Sequence, residues 1–465
     1  MSLPSSRLVC AGCGAEPSTD EPYPFRCPDA HGGDDVDHVL RRELDLPSVR
    51  FPVDDSEPNP FIRYRGLLHA YHLGLRRGLS EEGFCRLVRH LDTRVAALDE
   101  HGFRVTPFRR SARLSRELGF SRRGGVWVKD ETRNVSGSHK ARHLFDVLLY
   151  LEVAERVGLV EPPLRRELAI ASCGNAALAA AVVAAAGERT LRVFVPTDAD
   201  PIVLARLEEL GALVTVCTRD GHAGDPTYRR LLAAIERGAL PFTCQGNLNG
   251  LAIEGGETLG WEIASSGVDL DRLVVQVGGG ALASASIQSL REAVQLGVLH
   301  RSPRVDTVQT AGGWPLKRAF DAVAGPGEPA SSLRFAARHR SAFMWPWEEE
   351  PRSVAHGILD DETYDWLAVV EGMLATGGRP VVVDEETLVN ANALARRGTG
   401  IDVDHTGSAG LAGLLALRSA GEVAPDERVA VLFTGAVRAA PTRGRKRDEE
   451  LPGTRHPVAQ GLRAR

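Results

Sequence analysis

The chain has 465 residues, 43% hydrophobic and 25% charged, with a formal net charge of −5. That length exceeds one core and predicts two or three domains, while the mild acidity gives no reason to expect nucleic acid or an anionic membrane as partner. No run of about 18 apolar residues predicts a membrane span, the N-terminus lacks a signal-peptide core, and seven scattered cysteines exclude a secreted disulfide framework, so the expectation is a cytoplasmic protein of enzyme size.

In chain order, the first 45 residues form a cysteine-rich segment. Cys10, Cys13, Cys27 and His31 give C-x2-C, thirteen residues, then C-x3-H. Thiolates and imidazole at such spacing fit a tetrahedral structural zinc ion, with His38 as a competing fourth ligand. The bland alternative is a small loop with free thiols. Residues 60 to 120 are predicted mainly helical, with arginines on a solvated face.

An alternation follows. The stretches "GVWVKDE", "RELAIAS", "LRVFVP", "ALVTVC", "DRLVVQV" and "RVAVLFTG" read as strands. Between them lie helical stretches such as "GNAALAAAVVAAAG" and "ALASASIQSLREAVQLG". Strands alternating with amphipathic helices predict parallel α/β layers. The charged end, residues 441–465, reads as a mobile tail.

Functional groups in parallel α/β sheets gather at carboxyl ends of strands. In "NVSGSHKARHLF" a small-residue turn places Lys140 at a helix start, where a cation is disfavoured. Either Lys140 works as a neutral amine or Schiff base, or it is an exposed lysine that tolerates the cost. "ASCGNAALAA" joins a strand end to a helix start, with Ser172 and backbone amides able to receive a carboxylate; an ordinary N-cap would look the same. "VGGGALAS" lets the backbone approach a phosphate closely, or is a tight turn. Thr434 closes the last strand, and its hydroxyl faces a ligand or satisfies the backbone. A reactive amine, a carboxylate site, a phosphate site and a neutral hydroxyl together match the needs of pyridoxal phosphate. Asp360 and Asp361 read as a substrate or metal pair or as a solvated helix start, and the helix start is the expectation.

From about residue 104 to 440 the chain resembles the tryptophan-synthase-β superfamily of pyridoxal-phosphate enzymes, and threonine synthase most of all. "VTPFRRSARLSRELG", "VKDETRNVSGSHKAR", "SCGNAALAAAVVAAAG", "IEGGETLGWEIA", "VGGGALASA" and "GIDVDHTGSAGLAGLLAL" are similar to family motifs in the family order. The resemblance implies an α/β fold of two parallel-sheet domains with the cofactor in the cleft, beside the N-terminal zinc-ribbon-like segment (1–45). The large domain would comprise 46–145 and 250–440, and the small substrate-loop domain 146–249. It implies Lys140 as Schiff-base lysine and general base. Asn175 would bond the cofactor's phenolic oxygen. Gly278, Gly279, Gly280 and Ala281 would hold its phosphate, and Thr434 its ring nitrogen. Ser138, Ser172, Cys173 and Gly174 would meet a small amino-acid substrate, and family members are usually homodimers.

Two positions depart from the family pattern. Ala141 stands where an acidic residue is usual, and His139 where an aromatic is usual. The leading expectation is phosphate elimination from O-phosphohomoserine with water addition to give threonine. The alternative is β-elimination or β-replacement on a hydroxy- or O-activated amino acid. A third reading, a non-catalytic regulator, conflicts with the intact lysine, glycine turn and Asn175.

Overall fold

The computed structural model describes residues 6–53, 55–160, 165–219, 225–325 and 329–438; the tail at 441–465 lies outside the described residues. From the N-terminus the strands are β1 (Ser6–Cys10), β2 (Leu40–Leu44), β3 (Phe108–Ser111), β4 (Gly125–Asp130), β5 (Leu168–Ala171) and β6 (Leu191–Pro196). Then come β7 (Leu213–Cys217), β8 (Leu240–Pro241), β9 (Arg272–Gln276), β10 (Arg304–Thr310), β11 (Pro380–Val383) and β12 (Arg428–Phe433).

β1 and β2 pair antiparallel as a ribbon. A smaller sheet has the order β7-β6-β5-β8, all parallel. A larger sheet has the order β11-β10-β9-β12-β4-β3, parallel except for the edge pair β3–β4. The parallel α/β fold expected from the alternation is therefore present. β9 is buried at every position, as a strand covered by helices on both faces must be.

Four strands in these two sheets, β3, β8, β10 and β11, do not stand out in the sequence. β10, "RVDTVQT", is buried yet rich in polar groups. Those groups are paired inside: Asp306 with Arg272, and Gln309 with the Lys317 amide at 3.1 Å. Burial of paired polar side chains breaks the apolar pattern that periodicity reads.

The last strand in sequence, β12, inserts between β9 and β4. The carboxyl ends of three neighbouring strands thus bring Gln276, Asp130 and Thr434 to one rim. The helix Lys140–Arg156 leaves that rim and packs on the helix Ala252–Ala264, which is buried all round. A Cβ on Gly256 would collide with the His143 ring, so this pair can approach closely only through the glycine.

Arg42 of β2 ties the ribbon to this core. It is 2% exposed and pairs with Glu254 at 2.8 Å, Glu292 at 2.8 Å, and Glu257. Asp146 packs nearby, its carboxyl group against that of Glu254. One guanidinium cannot balance four carboxyl groups, so burial pushes Glu254 and Glu257 well up. Burial likewise pushes Asp146 from 3.8 to about 7, with the hydrogen bond to Glu254 and the charge of Arg42 opposing the rise and Glu257 adding to it.

A carboxyl group raised on folding stabilises at low pH and loses that contribution as pH rises through its folded value. The native protein should therefore lose stability between about pH 4 and 7, with Asp146 contributing to the slope. Asp146→Asn should flatten part of this slope and be the more stable protein at pH 8. Urea denaturation at several pH values checks this; equal slopes in both proteins would count against it.

Candidate active site

The turn before Lys140 is held by the end of β12. Ala436 N donates to Gly137 O at 2.9 Å, and His139 N donates to Thr434 O at 3.2 Å. Ser136, a non-glycine at φ +58°, is held by its amide donating to Asp99 Oδ2 at 2.6 Å. These bonds place Lys140 as the first residue of its helix, half-buried at the rim. Among the described residues its Nζ makes no hydrogen bond with another protein group.

Lys140, Ser172, Cys173, Gly174, Asn175, Gly278, Gly279, Gly280, Ala281 and Thr434 all line one cleft. Residues from the end of β5 in the smaller sheet thus face residues from β9 and β12 in the larger. Ser138 is an exception among the expected substrate residues. It is fully buried, it pairs with Gly435 in an isolated bridge, and it does not line the cleft. Backbone pairing turned it inward.

Two helices start at this cleft. The helix Asn175–Ala186 has Gly174 at its N-cap, with no side-chain cap. The helix Ala281–Gln295 has Gly280 at its N-cap, at φ +100°, also uncapped. The ordinary N-cap reading of Ser172 therefore does not hold: the first-turn amides, which a helix cannot satisfy internally, are left for a ligand. Side chains on Gly278 and Gly279 would collide with Asp360 and Tyr364, so the turn must be glycine.

Asp360 and Asp361 are not at a helix start. They lie in a bend, and the next helix begins at Trp366. Asp360 lines the cleft, and burial pushes its carboxyl up to about 6 against the opposing pull of Lys140. His139 is buried in the same wall. Its Nδ1 lies 3.3 Å from Thr434 O, which only accepts, so Nδ1 carries the proton. Burial and the neighbouring Lys140 hold this imidazole well below its usual range, so it is neutral.

Two contacts were not legible in the sequence. Arg438 Nη2 donates to Asn175 Oδ1 at 2.7 Å, which leaves the Asn175 amide nitrogen to donate elsewhere. Gln276 Nε2 donates to Thr434 Oγ1 at 2.7 Å. Neither Arg438 nor Gln276 falls in a motif of its own; only the meeting of strand ends reveals them.

An amine, an uncapped glycine turn, an asparagine amide and a buried hydroxyl converge in one cleft, and this donor set fits pyridoxal phosphate. The sequence pattern of the family described as "Pyridoxal-phosphate dependent enzyme" matches residues 100–435. The chain belongs to that family. This pyridoxal-phosphate enzyme is similar to the threonine synthase of Methanocaldococcus jannaschii, 24% identical over 366 residues, covering 76% of this chain and 80% of that one. It is also similar to the threonine synthase of Methanosarcina acetivorans, 27% identical over 337 residues, covering 71% and 74%. Its fold is like that of the processed form of threonine deaminase isoform 2 from Solanum lycopersicum, with a TM-score of 0.55 and 16% identity over 77% of this chain and 91% of that one. Among the described residues no helix is long and apolar enough to cross a membrane.

Away from the cleft, Cys10, Cys13, Cys27 and His38 bring their donor atoms within 4.8 Å of one another. His31, expected as fourth member, is exposed and outside the group. The hairpin that leads into β2 carries His38 back over the knuckle, with its Nδ1 3.4 Å from Cys10 Sγ. His38 Nε2 lies 3.1 Å from Asp34 Oδ2, so a carboxylate holds the far side of this ring.

Proposed function

We propose that the protein is a lyase of the threonine-synthase type, which expels phosphate from O-phosphohomoserine and adds water to give threonine. The observation that carries this reading is Arg438. The cleft already offers uncapped helix amides at the glycine turn for the cofactor phosphate and at the Ser172–Asn175 loop for a substrate carboxylate. Arg438 adds a guanidinium beside that loop, with its Nε unpartnered. A substrate with a carboxylate and a second anionic group uses both places, whereas serine or threonine uses one.

Pyridoxal phosphate, when bound, supplies an aldehyde for the substrate amine and an electron sink for Cα. Lys140 holds the cofactor before substrate arrives, and then takes the Cα proton as general base and returns it along the chain. The loop Ser172–Gly174 orients the substrate through its carboxylate. Asn175, held by Arg438, would offer its amide N–H to the cofactor's phenolic oxygen. Neutral His139 packs beside Lys140 without adding charge.

The test is product analysis with O-phosphohomoserine, alongside serine, threonine and O-acetylserine. Threonine and free phosphate in equal amounts are expected from the first. A 2-oxo acid or a substituted alanine from one of the others, with no turnover of the first, would replace this reading by β-elimination or β-replacement.

We also propose that the N-terminal ribbon holds a structural zinc ion through Cys10, Cys13, Cys27 and His38. Burial pushes the Cys27 thiol up to about 12, and a bound cation is what lets such thiols ionise. Metal analysis should return about one zinc per chain. His38→Ala should lose it, and His31→Ala should keep it. Loss with His31→Ala and retention with His38→Ala would reverse the assignment.

A further inference from the structure

Gln276 is the last residue of β9 and is 3% exposed. Its Nε2 lies 3.1 Å from Gly407 O and 3.2 Å from Leu432 O, besides 2.7 Å from Thr434 Oγ1. Carbonyl oxygens only accept, and an amide flip would set Gln276 Oε1 against two of them. The two carbonyls therefore fix which end of the amide faces Thr434. The two amide hydrogens serve these three acceptors, the contact with Thr434 being the shortest, and because the amide nitrogen cannot accept, the hydroxyl is an acceptor in this contact. Its own proton needs another partner, and among the described residues no protein group accepts it. Thr434 lines the cleft, and that is where the proton goes.

We propose that Gln276 is a positioning residue that makes Thr434 an obligate donor to the cofactor's ring nitrogen and so keeps that nitrogen unprotonated. The proposal rests on the reading that Thr434 faces the ring nitrogen. A hydroxyl free to turn could donate to a bare nitrogen or accept from a protonated one. Gln276 removes the second choice, because Thr434 cannot accept from the amide and from a pyridinium without stranding its own proton. The consequence is electronic. An unprotonated ring withdraws less charge from Cα, which favours loss of a leaving group over storage of that charge.

The experiment is nitrogen-15 NMR of the holoenzyme loaded with ring-labelled pyridoxal phosphate, calibrated against the free cofactor in acid and alkali. In the native protein the signal should stay at the unprotonated position across the whole pH range of solubility. A native signal at the protonated position overturns the proposal without any variant. In Gln276→Met, which cannot donate, the signal should move upfield toward the protonated position as pH falls. In Gln276→Glu, whose carboxylate would accept from Thr434, it should move further. If neither variant shifts the signal, Gln276 has no such role. Thr434→Val separates the two levels: a signal unchanged from native would mean that Thr434 does not face the ring. A changed signal there, with none in the Gln276 variants, would refute Gln276 alone.

Discussion

Lys140→Ala should reduce kcat by about 10³-fold or more, with the fold intact. On the proposed mechanism the variant loses the covalent tether and the Cα base together, and no neighbour is placed to replace either. Burial holds the His139 imidazole well below its usual range, so its unpartnered Nε2 is too weak a base to take over. Asp360 lines the same cleft, but burial pushes its carboxyl up to about 6 against the pull of Lys140 and the Gly279 amide, so it should rise further in the variant. Borohydride reduction followed by peptide mapping should fix the cofactor to Lys140 in the native protein and to no residue in the variant. Turnover within tenfold of native, or cofactor fixed to another lysine, would remove Lys140 from its role.

The largest effect on stability should come from Arg142→Met, at about 3–5 kcal/mol in urea denaturation. Arg142 is two residues past Lys140 and has no exposed side-chain surface. It bonds Glu131 Oε2 at 2.8 Å, Glu262 Oε1 at 2.7 Å and Thr258 Oγ1 at 2.9 Å. Lys129 completes the group by pairing with Glu262 and donating to Thr106 O at 2.8 Å. Two cations balance two carboxylates, and although burial works against it, Arg142 and Lys129 hold Glu131 below its usual range.

Removing the guanidinium strands one negative charge in the core. Arg142→Met with Glu131→Gln should recover part of the loss, because the stranded charge is then gone. A cost below about 1 kcal/mol would mean that water reaches the cluster. On the same helix Ala141 is fully buried in the apolar core, where an unpaired carboxylate would be costly.

The sequence carried much of the site because its motifs are local. The turn before Lys140, the Ser172–Asn175 junction and the glycine turn each depend on consecutive residues. Each could be read from helix starts, strand ends and the need for glycine. Such features leave a pattern in one stretch of chain whatever lies opposite. The alternating strands were legible for the same reason, since burial on both faces demands runs of apolar residues.

Other features could not be read that way. His31 and His38 are equally good imidazoles at plausible spacing, and only the path of the hairpin into β2 decides that His38 meets the cysteines. Asp360 looked like a capping residue until the chain folded it over Gly278. Ser138 reads as a site residue by its neighbours, yet it is turned inward by pairing with Gly435.

By itself, then, the sequence determined which chemical groups are available and which helices and strands present them, because those depend on short-range spacing. The tertiary structure decided which groups meet. β12 arrives last in the chain and inserts between β9 and β4. That long-range pairing sets Gln276 against Thr434, locks the Lys140 turn in place, and carries Arg438 to Asn175. No local pattern encodes contacts separated by 158 and 263 positions. They exist because a buried parallel strand must satisfy its hydrogen bonds with whichever neighbours the sheet provides.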